Sequence, residues 1–291
     1  MESPVVVGVD GSDPGLLALD WAVAEAIRHG RPLRVVHASL WERYETAVPS
    51  ADDDRSEELG LAENILGSAV ERARRLAPDL LVMGEIFAED ATTALLREGR
   101  DALVLVVGSR GRGGFAGLLL GSVGLAVAAR AHGPVVVVRG EEQAVAARHR
   151  RVLLGVGDHD ADSPAVRFAF REAAARGAEL DAVRTWRRPA HHPVDHPLLT
   201  GESAVYFEER AAKALDDALG AAVGEFPQVR LRRSTVEGPA RKILTERSAT
   251  ADLLILGARR TPRPLGLQLG RTTHRALHHA SCPVGVVPSE G

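Results

Sequence analysis

Leu103-Val104-Leu105-Val106-Val107-Gly108 is an apolar run closed by glycine, and it returns later in the chain as Asp252-Leu253-Leu254-Ile255-Leu256-Gly257. In both places a second glycine, Gly121 or Gly270, stands thirteen residues further on. A proline, Pro134 or Pro283, follows thirteen residues after that. Each proline opens a last apolar run, Pro134-Val135-Val136-Val137-Val138 or Pro283-Val284-Gly285-Val286-Val287. Unlike residues kept at fixed spacing twice in one chain mark an internal repeat.

The front of each half repeats as well. Val5-Val6-Val7-Gly8-Val9-Asp10 resembles Val152-Leu153-Leu154-Gly155-Val156-Gly157, and each is followed by a helix signal with proline, Asp13-Pro14 or Ser163-Pro164. Trp21 and Phe168 both stand thirteen residues after the glycines at 8 and 155. Between the halves, Gly140–Arg150 is polar and lacks strand character. These landmarks predict domains at 1–140 and 151–291 joined by a linker over 141–150.

In the first half, strands are expected at about 4–9, 32–38, 80–86, 103–108 and 134–138, and helices near 14–29, 55–77, 91–99 and 122–132. The strand runs are continuously apolar instead of alternating, as in a parallel sheet covered on both faces. Asp13 followed by Pro14 reads as a helix start and Gly30 as its stop. The fold class predicted is α/β: two tandem doubly wound, Rossmann-like domains, each a five-stranded mostly parallel sheet flanked by helices.

With 291 residues, 45% hydrophobic and 26% charged, the chain has the make-up of a soluble globular protein with room for two cores. A formal net charge of −3 argues against a nucleic-acid partner, which asks for a basic surplus. The basic residues are nearly all arginine, Lys213 and Lys242 being the exceptions, which reads as compositional bias. Cys282 is the single cysteine, so no intramolecular disulfide can form, and it has no activating context. Met1-Glu2-Ser3-Pro4 runs into a strand pattern without a signal segment, and no apolar run approaches the ~20 residues of a membrane span. The expectation is a cytoplasmic protein with no membrane partner.

In a doubly wound sheet, ligands sit beyond the carboxyl ends of the strands where strand order reverses. The loop after the fourth strand reads Gly108-Ser109-Arg110-Gly111-Arg112-Gly113-Gly114-Phe115-Ala116-Gly117, half of it glycine. Glycine lets backbone N–H groups turn toward an anion and removes the Cβ that would keep it at a distance. Gly121-Ser122 then opens a helix, whose free N–H groups and dipole favour phosphate. Ser122 adds a hydroxyl, and Arg110 or Arg112 a charge. The position of the loop, after a buried strand and ahead of a helix, favours phosphate binding over an ordinary surface loop.

Gly108-x-x-Gly111, nine residues, then Gly121-Ser122 resembles the ATP-binding signature of the universal stress protein family. Val7-Gly8-Val9-Asp10-Gly11-Ser12 is similar to that family's first strand and loop, and the likeness covers nearly the whole chain as two tandem domains. The resemblance implies a sheet in the order 3-2-1-5-4 or its doubly wound equivalent, dimerisation through the last strand, and ATP or AMP in the cleft. It places Asp10, Gly11 and Ser12 on the adenosine side and Val36 near the adenine. Gly108, Ser109, Arg110 and Gly111 would hold ribose and phosphate, and Gly121, Ser122 and Val123 would cradle the phosphates. Whether Mg²⁺ accompanies the nucleotide stays open, as does a homodimer beside an intramolecular pseudo-dimer.

The second half departs from the pattern. Gly257 is kept, but Arg260 stands in the place of Gly111, Arg271 in that of Ser122, and Gly157, next to Asp158, in that of Asp10. Thr261-Pro262-Arg263-Pro264-Leu265 puts two rigid prolines where the first half has glycines. Two readings stand: loss of the nucleotide with a structural role kept, or arginines that hold a different anion. Of the remaining features, His191-His192-Pro193-Val194-Asp195-His196 has metal-ligand residue types in a Pro-interrupted, solvated-loop context. The acidic run Ala51–Glu58 reads as a solvated helix start, and His278-His279 as cations at a helix end. No GxSxG, HExxH or GxxxxGK[ST] occurs. The functional expectation is an ATP-binding stress-response or signalling protein without a catalytic centre, with weak ATP hydrolysis left open. The alternatives are an ATP-hydrolysing or adenylyl-transferring enzyme of a related fold, using Asp10, Arg110 and Arg112, and a non-binding scaffold.

Overall fold

A computed structural model describes residues 3–39, 52–111, 120–157, 163–188, 204–259 and 269–289. They form two compact units, the first running to Arg139 and the second from Gly140 onward. The first unit contains β1 (Val5–Gly8), α1 (Asp13–His29), β2 (Leu33–Ala38), α2 (Asp52–Leu76), β3 (Val82–Phe87), α3 (Ala91–Glu98), β4 (Val104–Gly108), α4 (Ser122–Arg130) and β5 (Val135–Val138). The second contains α5 (Glu142–Val145), β6 (Arg151–Gly155), α6 (Pro164–Arg176), β7 (Glu179–Trp186), α7 (Ala204–Glu225), β8 (Leu231–Glu237), α8 (Ala240–Arg247), β9 (Leu253–Arg259), α9 (Arg271–His279) and β10 (Val284–Ser289).

The strands of the first unit lie in the order β3-β2-β1-β4-β5, and those of the second repeat it as β8-β7-β6-β9-β10. All pairings within each unit are parallel. The order 3-2-1-5-4 is therefore corrected: β4, not β5, pairs with β1, with Val5 opposite Val104 and Val7 opposite Val106. The fourth run suits the interior place, because Val104, Leu105, Val106 and Val107 are all buried. Strand order reverses between β1 and β4, which sets the crevice between their carboxyl ends.

Helix α1 shows why these segments fold as they do. Gly15, Ala18, Leu19, Ala22 and Ala26 recur at helical spacing and are buried. The cap is Ser12 and not Asp13: the Ser12 Oγ accepts from the Gly15 N–H at 3.2 Å, and the proline sits in the first turn. Gly30 ends the helix in the left-handed region (φ +60°), its N–H donating to Ala26 and Ile27 carbonyls. The second unit repeats each device in α6, with cap Ser163, first-turn Pro164 and left-handed Gly177. Helix α1 lies on β1, β4 and β5 and α2 on β2 and β3, while α3 and α4 pack together on the opposite face. Helix α2 begins at Asp52, so the acidic run opens it, although the side chains of 52–58 lie outside the description. A bidentate Arg72–Asp20 pair (2.6 and 2.7 Å) joins α2 to α1 and raises the Arg72 pKa, chiefly through the hydrogen bond.

The stretch 141–150 carries the four-residue α5 with Ala144 buried. Its end is tied to the second unit by the buried Asp252, which accepts from the His149 and Arg151 N–H groups at 2.8 and 3.1 Å. Cys282 is fully buried, in keeping with a structural role.

Leu19 is 0% exposed between α1 and the sheet. Leu19→Ala is expected to cost about 2–5 kcal/mol, seen as a lower urea midpoint for the intact chain.

Candidate functional site

The loop after β1 is built around one carboxylate. Gly11 takes a left-handed conformation (φ +77°) that turns the chain back on itself. Asp10 Oδ1 accepts from the Ser12 N–H at 3.1 Å and from the Ser12 hydroxyl at 2.5 Å. Ser12 then caps α1, so the same short turn starts the helix and fixes the direction of the Asp10 carboxylate. Behind it, the buried His37 ring donates from Nδ1 to the Val9 carbonyl at 2.8 Å.

The loop after β4 is stitched at its two ends. The Ser109 N–H donates to the Val138 carbonyl at 3.1 Å, and the Ser109 carbonyl accepts from the Gly121 N–H at 2.8 Å. Gly121 therefore returns directly beside the end of β4. It is the cap of α4, with no side-chain cap bond. The first in-helix bond runs from Leu125 N–H to the Gly121 carbonyl, so the helix cannot satisfy the N–H groups of Ser122, Val123 and Gly124. These three residues line the crevice.

Between the two loops lies a cleft of about 370 Å³, the scale of a small-molecule site. Asp10, Val36, Gly108, Arg110, Gly111, Gly121, Ser122 and Val123 line it. Gly11, Ser12 and Ser109 do not line it; they set the turn, cap the helix and bridge the loop ends. Arg112 lies outside the described residues. Sequence reasoning missed the apolar wall made by Val9, Ala38, Ala91, Leu95 and Val107, together with Gly8, Gly15 and Gly124. Ala38 ends a strand and Ala91 opens a helix, but no local pattern says that these two ends face one cleft.

Several glycines are compelled by close approach. A Cβ on Gly108 would lie 2.6 Å from the Pro14 carbonyl oxygen, which is backbone and cannot swing away. On Gly111 it would lie 2.5 Å from Asp10 Oδ2, and on Gly15 2.8 Å from Asp10 Oδ1. A side chain at Gly111 or Gly15 would therefore displace the Asp10 carboxylate.

The second unit has a cavity of about 190 Å³ at the matching place, lined by Gly155, Gly157, Val183, Thr185, Ala240, Leu244, Gly257 and Thr273 among others. Gly157 supplies no carboxylate, and its carbonyl accepts from Arg184 Nη1 at 2.5 Å. Where the first unit has Gly124, the second has the buried Thr273, which takes up space at the helix start. Arg271 opens α9 in place of Ser122. Arg260, Asp158, residues 261–265 and the His191–His196 cluster lie outside the described residues.

The universal stress protein family model matches residues 1–139 and again 148–288. The chain belongs to the universal stress protein family, as a tandem member. A universal stress protein of Mycolicibacterium smegmatis is 30% identical over 295 residues, covering 98% of this chain and 97% of the relative. One from Mycobacterium tuberculosis is 31% identical over 290 residues, covering 96% of this chain and 95% of its own. A solved universal stress protein from Archaeoglobus fulgidus shares the fold over 98% of both chains, with TM-score 0.70 and 18% identity. No helix among the described residues is long and apolar enough to cross a membrane.

Two substitutions test the site's construction. Gly108→Ala is expected to lower the melting temperature by several degrees, since Pro14 must move to admit the methyl group. Ser12→Ala removes the cap and is expected to cost about 1 kcal/mol in urea unfolding, with the fold kept.

Proposed function

We propose that the first unit binds an adenine nucleotide, ATP, in the cleft between β1 and β4, and that its occupancy is the signal of a stress-response regulator. The observation that carries this reading is one cleft with two unlike ends. An apolar wall at the end of β2, with Val36 and Ala38, suits a base. The glycine-capped start of α4, with Ser122, Val123 and Gly124, suits a phosphate chain. Asp10 stands at the cleft to accept from ribose hydroxyls, and Arg110 supplies a cation beside the phosphates.

Binding without efficient turnover is favoured over an enzyme. Asp10 and Arg110 are the ionisable groups lining the cleft among the described residues, and Asp10 Oδ1 already accepts from the Ser12 N–H and hydroxyl, which engages an oxygen that a general base would use on an attacking water. The smaller cavity of the second unit, without a carboxylate at Gly157, supports a single nucleotide site per chain. A regulator of this kind acts by binding one state better than another, and its working place is the cytoplasm.

Calorimetric titration of ATP into the intact chain, with and without Mg²⁺, is expected to give one site per chain. Gly111→Asp places a negative side chain against Asp10 and is expected to abolish the heat. ATP at a hundred times its Kd should stabilise the first unit by about 2.7 kcal/mol. Binding at two sites would return the second unit to the nucleotide binders, and no heat from folded, nucleotide-free protein would overturn the reading. Release of ADP well above background, lost with Asp10→Asn, would favour the enzyme instead.

A further inference from the structure

The second unit carries a cationic cleft that the nucleotide reading does not use. Helices α8 and α9 pack side by side, and a groove of about 540 Å³ between them is lined by Pro239, Arg241, Lys242, Arg271, His274, Arg275, His278 and His279. Every lining residue except Pro239 is basic. The fold does not ask for this. Helix α9 buries Thr273, Ala276 and Leu277, which leaves Arg271, His274 and Arg275 exposed on the other side. Aligned on the paired glycines Gly121 and Gly270, the same helix pair in the first unit has Asp90, Thr92, Thr93, Ser122, Leu125, Ala126, Ala129 and Arg130 at these positions. One scaffold thus carries a nearly neutral groove in one copy and a basic groove in the other.

The arginines of the lining carry charge without a paired carboxylate among the described residues. Lys242 stands 3.8 Å from Glu246 on its own helix. Among the described residues, Arg241, Arg271 and Arg275 have no carboxylate within ion-pair distance. Gathering like charges without a counter-ion is unfavourable, and an anion in the groove relieves it. Pro239 and Arg271, at the starts of α8 and α9, are among the lining, and neither helix start has a side-chain cap bond.

We propose that this groove is a binding site for an oligophosphate chain, distinct from the cleft between β1 and β4. Three arginines and a lysine match several phosphate groups at once, and the imidazoles of His274, His278 and His279 add N–H donors. Phe, Tyr and Trp are absent from the lining, so nothing there offers the broad aromatic platform on which nucleic-acid bases stack. Helix α9 has nine residues, about 13 Å of length, enough for a few linked phosphates and short for a nucleic-acid track. The shared chemistry is a run of phosphates, either inorganic or borne by a nucleotide. The proposal stands whether or not the first unit holds ATP.

The test is calorimetric titration of inorganic tripolyphosphate into the full chain at about 0.15 M salt. The probe is repeated on the double variant Arg241→Thr with Arg275→Ala, which installs the first unit's residues on exposed positions. Wild-type binding weakened at least tenfold in the double variant, with unchanged circular dichroism, is the expected result. Gly111→Asp should leave the tripolyphosphate heat intact. If tripolyphosphate competes with ATP tails for the groove, added ATP will lower the tripolyphosphate heat in Gly111→Asp, assigning the nucleotide-borne source; if it does not, the inorganic source stands. Equal affinity for wild type and double variant, or loss of the heat with Gly111→Asp, would overturn the proposal. So would an RNA oligonucleotide binding more tightly than tripolyphosphate through the same arginines.

Discussion

The crevice of the first unit depends on one close approach, that of the end of β4 to the first turn of α1. Gly108 lies so near the Pro14 carbonyl that a methyl group would come within 2.6 Å of its oxygen. That proximity brings the two loops beyond the strands together and leaves a cleft of about 370 Å³ beside Asp10 instead of a splayed sheet end. Gly15 and Gly111 continue the same constraint on either side of the carboxylate. Glycine serves here for want of space; Gly11, at φ +77°, serves for backbone freedom.

From that contact the rest of the site follows by hydrogen bonds that do two tasks each. The Ser12 hydroxyl caps α1 and holds Asp10, so the stability of the helix start and the aim of the carboxylate are coupled. The Ser109 backbone joins β5 on one side and Gly121 on the other, which ties the start of α4 to the sheet. A phosphate site made of backbone N–H groups needs such rigidity, because its donors have no side-chain freedom to adjust.

Most of the fold was legible in the sequence because the strands are continuous apolar runs and the repeat states each signal twice. The boundaries of α1, β4 and α4 fall within a few residues of the expected ones. Strand adjacency was less accessible: whether β4 or β5 neighbours β1 is a long-range pairing, and both runs are valine-rich and fully buried. The site divided in the same way. Glycines and Asp10 could be read locally, whereas Leu95 and Ala91 reach the cleft only because α3 crosses beneath the end of β2. The Ser12 hydroxyl caps α1 and the Ser109 backbone bridges the loop ends, pairings that depend on geometry alone.

The two copies separate what the fold requires from what it merely permits. Both retain the serine cap with first-turn proline, the left-handed glycine that ends the first helix, and a glycine in the fourth strand of each unit, Gly108 or Gly257. These positions set backbone geometry, so neither copy can change them without loss of stability. The residues that differ lie at the cleft or at the groove positions: Asp10 against Gly157, Ser122 against Arg271, Ala126 against Arg275. Substitutions of that kind alter what a cleft or groove can hold at little cost to the core, because none of these side chains belongs to it. A duplicated domain can therefore keep one crevice for a ligand while the charge on its sister's helices is free to acquire another.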